Sequence, residues 1–312
     1  MTELCFDFGG TAVKIGLLDD GQVLASREFP VSGTVADLHD AERIGRDIVA
    51  GSGAPIGSIG IALPGVVDQR TGRMVAAHGK YGYLGDRDMR DWAVQGFGVP
   101  AGIENDARAA LVGETSYGVA AGATDAVGVT LGTGIGTAAL IGGVLLRGAH
   151  DHAGILGGHV TVDIDAPACP CGNIGCAESL ASTWAARDAV SAHPDAALSS
   201  LWGADPIGIR EIIEAARAGD AVASDVLAHF LRVWGATIVS LCHAYDPDVV
   251  IVSGGVMRSS DVVLPALTAY VNEHLWSSAH RPTFLTPTNP ELSVLRGLSV
   301  VARNAIDQEH AR

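Results

Sequence analysis

Positive charge is scarce in this sequence. The 312 residues include 20 lysines and arginines against 35 aspartates and glutamates, for a net charge of −15. No basic patch interleaved with aromatics occurs, which argues against nucleic acid as a partner. The sign is equally wrong for an anionic membrane surface. Long apolar runs are also missing: none approaches the ~18 residues needed to cross a bilayer. Met1-Thr2-Glu3 leads straight into a strand pattern, so no signal peptide is expected. Cysteine is sparse, five in all, and three of the five fall within residues 169–176. That crowding reads as a metal site in a reducing compartment, hence the cytoplasm, rather than as a disulfide framework.

What is present supports a folded, two-domain chain. Hydrophobic residues make up 48% and charged residues only 18%, enough apolar surface for a large core. The 40 glycines fall in short clusters between apolar runs, which suggests tight turns and close backbone approaches to ligands. An acidic chain can still bind ATP, because backbone N–H groups and Mg²⁺ supply the local positive field.

Leu4 to Phe8, Ala12 to Leu18 and Val23 to Phe29 read as strands, the first two joined by Gly9-Gly10. Residues 38 to 50 carry one helical apolar face, and Ile59 to Leu63 is a buried-strand run ending at Pro64-Gly65. Arg70 to Trp92 lacks periodicity and reads as loops with short elements. A helix from Asp106 ends near Gly118, and 118–122 looks like a linker, so the expected domains are 1–118 and 119–296. A final helix from about Gly297 to 312 is expected to join the first domain. The second half opens as the first did, with Ala126 to Leu131, a glycine turn and Thr137 to Ile141, a weak internal repeat. Helical patterns follow at 177–190, 207–217 and 220–244, the last with a buried stripe of Leu227, Leu231, Trp234, Ile238 and Leu241. Val249 to Val252 is a further buried strand.

The chemistry centres on Glu104-Asn105-Asp106. An apolar run, Val99 to Ile103, delivers Asp106 to a helix start, where a fixed carboxylate can act as a general base. Helix capping by Asp106 is the competing use. Asp7-Phe8-Gly9-Gly10-Thr11 sets a carboxylate, two glycines and a hydroxyl in one turn. Gly9, Gly10 and Thr11 can approach phosphate oxygens, and Asp7 can hold Mg²⁺ through water. Gly132-Thr133-Gly134 repeats the recipe, and Gly254-Gly255 is a third glycine turn at a strand end, where adenosine could lie. None is a Walker loop or a dinucleotide fingerprint, since these turns join strand to strand rather than strand to helix. Cys169, Cys171 and Cys176 with His159 make a four-ligand set for a structural zinc ion. Cys5 and Cys242 read as core residues. His150-Asp151-His152 reads as a solvated loop, with a substrate contact as the alternative.

Taken together these residues resemble the ROK family of sugar kinases and repressors, over nearly the whole chain. Asp7 to Thr11 and Leu131 to Gly136 look like its two phosphate loops, Leu63-Pro64-Gly65-Val66-Val67-Asp68 like its Pro-Gly element, and Cys169 to Cys176 with Glu178 like its zinc loop. The resemblance implies an actin-like ATPase fold, with two α/β domains and a cleft between them. It implies that Asp106 takes the proton of a sugar hydroxyl as that hydroxyl attacks the γ-phosphate of Mg-ATP. Gly65, Asn105, Asp106, His159 and Glu178 are then the sugar contacts, and a homodimer acting at a hexose 6-hydroxyl is expected. Two departures stand out. Leu156 occupies the place of a family glutamate that contacts the sugar, a charged hydrogen bond worth roughly 1.5–3 kcal/mol. The segment His78 to Trp92 also differs from the family pattern. Unless a neighbour such as Asp151 or His152 compensates, ordinary glucose is therefore expected to bind less well, and a hexose altered at carbon 1, 2 or 3, such as an amino sugar, or a polyol, becomes a plausible substrate. A repressor of the same family would need a winged helix ahead of Asp7, for which the sequence leaves no room. A catalytically silent sugar-binding protein is the alternative function.

Overall fold

The structure is a computed structural model that describes residues 1–76 and 80–310, with side chains described through Ile306. Residues 78 and 79 of the divergent segment, and the last two positions of the expected final helix, lie outside the described residues.

The chain divides into two compact units. The first comprises residues 1–124, 145–153 and the stretch from 287 onward, and the second comprises 125–144 and 154–286. The division falls six residues beyond the boundary read at 118. Residues 145–153, which no local pattern marked, count with the first unit although both their flanks belong to the second.

In the first unit β1 (Thr2–Phe8), β2 (Ala12–Asp19), β3 (Gln22–Pro30), β4 (Ile56–Leu63) and β7 (Ala101–Asn105) form a sheet in the order β3-β2-β1-β4-β7. The first three are antiparallel neighbours, whereas β1, β4 and β7 run parallel. Every residue of β1 is buried, as a central strand covered on both faces requires. The period of two sorts its side chains. Leu4, Phe6 and Phe8 join one core with Trp92 and Ile44, while Cys5 joins another with Ala109, Leu295 and Leu298. The first core lies under α1 (Ala36–Ser52) and α2 (Met89–Phe97). The second is closed by α3 (Asp106–Tyr117) and α9 (Pro290–His310). A short hairpin of β5 (Val66–Asp68) and β6 (Arg73–Ala76) occupies part of the stretch read as loop.

The seat of α9 depends on missing side chains. A Cβ at Gly60 would stand 2.3 Å from the Leu298 carbonyl oxygen, one at Gly113 2.0 Å from that of Ser293, and one at Gly297 1.8 Å from that of Ala109. Glycine at these positions lets backbone meet backbone.

The second unit repeats the strand plan. β8 (Ala126–Leu131), β9 (Ile135–Ile141), β10 (Val144–Leu145), β11 (Val249–Ser253) and β12 (Thr283–Leu285) are ordered β10-β9-β8-β11-β12. β8 is antiparallel to β9 and parallel to β11. The weak internal repeat of the sequence is thus a repeated sheet. The expected helix at 177–190 is two, α4 (Ala177–Ala181) and α5 (Ala186–Ser191). They are followed by α6 (Ile209–Arg217), α7 (Ala221–Tyr245) and α8 (Ser260–His274), of which α8 was not expected. The expectation of no bilayer-length run needs correction as well. By length and composition α7 could cross a membrane, with a window of mean hydropathy 1.3, but 56% of that window is buried inside the protein. Leu227, Trp234, Ile238 and Leu241 of the expected stripe are buried, and the Trp234 indole donates to the Ala181 carbonyl at 2.7 Å.

Candidate active site

Strand β1 carries Asp7 to its C-terminal end, where the side chain is buried, and the turn that follows exposes Gly10 and Thr11. The Gly9 N–H donates to the Ala12 carbonyl at 3.1 Å, and the Gly9 carbonyl accepts from the Tyr81 hydroxyl at 2.6 Å. A tyrosine from outside the turn therefore fixes its backbone, and nothing lies within 4 Å of where a Gly10 side chain would stand. That is an open, pinned turn of the kind a phosphate can enter.

Strand β7 passes directly into α3. The cap is Asn105, not Asp106: the Asn105 side chain accepts from the Arg108 N–H at 3.1 Å. Asp106 is thereby released from the capping use and is the first helical residue. Its Oδ1 accepts from the Ala107 N–H at 2.8 Å and from Asn105 Nδ2 at 2.9 Å, and the same Asn105 nitrogen donates to the Gly65 carbonyl at 2.9 Å. Gly65, Asn105 and Asp106 are thus joined by one amide. Burial raises the pKa of Asp106 against the opposing effect of those hydrogen bonds. Burial, with the Asp106 charge second, pushes Asp7 up to about 7, and Lys14 opposes it. Two carboxylates that resist ionising together make a place suited to a cation.

Around them lies an ionic cluster the sequence did not disclose. Glu104 and Arg108 are both fully buried, with Arg108 Nη1 3.8 Å from Glu104 Oε1. Arg147 pairs with the same carboxylate, and its Nη1 lies 3.7 Å from Asp151 Oδ1. Arg108 Nη2 donates to the carbonyls of Asp151 and Ala153 at 2.9 and 2.8 Å, and its Nε donates to that of Leu146 at 3.2 Å. These bonds are what fasten residues 145–153 to the first unit. The solvated-loop reading of 150–152 holds for His150 and His152, which are exposed, but Asp151 is buried. The signal that could have shown it was an arginine four residues beyond a glutamate, at a site too apolar to leave either unpaired.

In the second unit the turn between β8 and β9 is braced from α4 and the residues after it. Ile135 N–H donates to Glu178 Oε2 at 2.8 Å, and a Cβ at Gly134 would stand 2.4 Å from that oxygen. Thr183 donates its N–H and its hydroxyl to the Gly132 carbonyl at 3.0 and 2.7 Å. Thr133 at the tip is exposed. Gly254, with φ +96°, packs where a Cβ would meet the Leu131 carbonyl oxygen at 2.3 Å, so the second and third glycine turns adjoin. Gly255 beside it is exposed.

His159, Cys169, Cys171 and Cys176 offer ligand atoms that all lie within 4.8 Å of one another. Cys171 Sγ is 3.7 Å from Cys176 Sγ, and Cys169 Sγ is 3.9 Å from His159 Nδ1. A tetrahedron with metal–sulfur bonds of ~2.3 Å has edges of ~3.8 Å, so the set fits zinc. Asn173 donates to Cys176 Sγ at 3.4 Å and to the His159 carbonyl at 3.0 Å, orienting both. Leu156 is exposed, while Gly157 behind it donates its N–H to Thr137 Oγ1 at 2.8 Å.

A sequence model of the ROK family matches residues 3–304. The glucokinase of Streptomyces coelicolor is 31% identical over 294 residues, covering 88% of this chain and 89% of that protein. The ROK hexokinase of Thermus thermophilus superposes with a TM-score of 0.82 at 28% identity, over 99% of this chain and 100% of the other. A ROK family glucokinase from Streptomyces griseus, solved with glucose and AMPPNP, gives 0.76 at 30% identity over 97% and 100%. The two similar sheets with their helices are accordingly those of the actin-like ATPase fold.

Proposed function

The chain belongs to the ROK family and is an ATP-dependent carbohydrate kinase, and we propose that it phosphorylates the 6-hydroxyl of a hexose or hexose derivative with Asp106 as the base. The observation that carries this reading is the junction of β7 and α3. There Asn105 takes over the cap and holds Asp106 by one oxygen beside a second buried acid, Asp7. Phosphoryl transfer requires positioning and charge neutralisation more than covalent chemistry. Asp7 holds the Mg²⁺ of Mg-ATP through water, and Gly9, Gly10 and Thr11 donate to phosphate oxygens. Gly132, Thr133 and Gly134 do the same, and Gly254 and Gly255 border the adenosine. Asp106 accepts the proton of the attacking hydroxyl, and Asn105, Gly65, His159 and Glu178 orient the ring.

Zinc, held by His159, Cys169, Cys171 and Cys176, is structural: four protein ligands leave no position for a reacting water. With Nδ1 of His159 toward the thiols, the other ring nitrogen is available to a sugar hydroxyl. Leu156 removes one charged contact, so a hexose altered at carbon 1, 2 or 3, or a polyol, is favoured over glucose. Family membership also supports a cytoplasmic homodimer.

The test is ADP release on addition of D-glucose, D-glucosamine, N-acetyl-D-glucosamine and D-glucitol, with the product's phosphate position read by NMR. Turnover with at least one, and attachment at carbon 6, is expected. Sugar binding without ADP release would instead favour the catalytically silent alternative, for which Leu156 is the supporting observation.

A further inference from the structure

We propose that Asp151 is a positioning residue for the sugar site, its carboxylate fixing the segment Gly65–Gln69 that carries the Pro-Gly contact; this rests on the kinase reading above. Asp151 is buried at 9% exposure and adopts φ +58°, a left-handed conformation that aspartate enters more readily than most side chains and glycine more readily still. The other non-glycine residues with positive φ among those described are Asp20 and Asp246, an exposed turn residue and a helix C-cap. Glycine would serve a turn at 151 at least as well, so the carboxylate is the feature that has a use.

The contacts identify that use. Asp151 Oδ2 accepts the Gln69 N–H at 3.1 Å, and Arg147 faces Oδ1 at 3.7 Å. Gln69 directly follows β5, and its side chain donates to the Ile103 carbonyl at 2.8 Å, two residues before Asn105. At the other end of the segment, Asn105 holds the Gly65 carbonyl. Residues 65–69 are therefore pinned at one end by the amide that also steadies Asp106, and at the other by Asp151. Arg108, bonded to the Asp151 carbonyl at 2.9 Å, keeps the strand of chain bearing Asp151 in place. No contact of Asp151 with substrate is needed, since it acts through Gln69 and Gly65.

Two variants assayed with D-glucose and with the fastest sugar of the panel test this. Asp151→Gly relieves the left-handed backbone and removes the acceptor. The KM for sugar is expected to rise about tenfold, the worth of one hydrogen bond to a charged group, while the KM for ATP and kcat stay within twofold and the melting temperature is unchanged or raised. Asp151→Asn keeps an oxygen for the Gln69 N–H and is expected to remain within threefold of wild type for sugar. A wild-type sugar KM in Asp151→Gly overturns the proposal, as does a loss shared equally by sugar KM, ATP KM, kcat and thermal stability, which would mark a merely structural role. Wild-type protein that turns over no sugar removes the kinase reading, and the proposal with it. Active wild type with an unaffected Asp151→Gly removes only the proposal.

Discussion

At the scale of single residues, the proposed mechanism divides the work of base and metal site between two neighbouring acids, and their protonation should be visible in kinetics. Asp106→Asn keeps the shape and the hydrogen bonds to Ala107 and Asn105 but cannot take a proton. A loss of about 10²- to 10⁴-fold in kcat is expected with sugar affinity, measured by calorimetry, little changed. Asp7 has a folded-state pKa of about 7, against 3.8 for an ordinary aspartate. The folded ligand-free protein thus binds that proton more tightly than the unfolded chain. The stability Asp7 contributes is complete below pH ~3.8 and is lost as pH rises through about 7. Mg-ATP requires the ionised form, so kcat/KM for ATP should climb with pH to a plateau above about 7. In Asp7→Asn the rising limb near 7 should be displaced or lost, because the group that titrates there is gone. A profile that does not move would show that Asp7 is not the titrating group. Much of this site was legible from residue types in order: an acid before a glycine turn, and an amide and an acid at a strand's end. The link from Glu104 and Arg108 to Arg147 and Asp151 was not, because it spans 43 residues and leaves no local period.

At the scale of elements, turns and strands followed from glycine and apolar patterning, whereas breaks imposed by tertiary contacts did not. The apolar spacing through 177–190 suits one helix, yet Thr183 gives both its donors to the Gly132 carbonyl, and a residue so engaged cannot continue the helical ladder. The helix α8 carries Val263, Leu267 and Val271 four apart, but Pro265 inside it disguises the pattern. The start of α9 at Pro290 rather than Gly297 follows the same logic. Gly297 lies inside the helix, for close packing on α3 rather than as a boundary. Gly297→Ala should therefore destabilise the protein by about 1–3 kcal/mol in urea unfolding, the usual cost of overpacking. Gly51→Ala, on α1 with nothing within 4 Å of the new methyl, should be neutral or slightly stabilising. Equal effects at the two positions would refute the close-packing account of α3 and α9.

At the scale of the whole molecule, the first unit depends on a helix from the far end of the chain. Truncation after Thr286 removes α9 and uncovers Cys5, Leu18, Ala62 and Ala109 of the core that Leu295 and Leu298 complete. Turnover should be abolished, while the second unit, whose metal ligands lie wholly within 154–286, should retain close to one zinc per chain by elemental analysis. Loss of both together would mean that the units do not fold independently. The polypeptide passes from one unit to the other four times, after residues 124, 144, 153 and 286. End-to-end joining of two ancestral copies would leave each copy unbroken. Here the second unit lies in sequence between parts of the first, and residues 145–153 of the first interrupt the second, so no single proteolytic nick can liberate either half, and a protein clipped once in a surface loop is expected to stay in one piece.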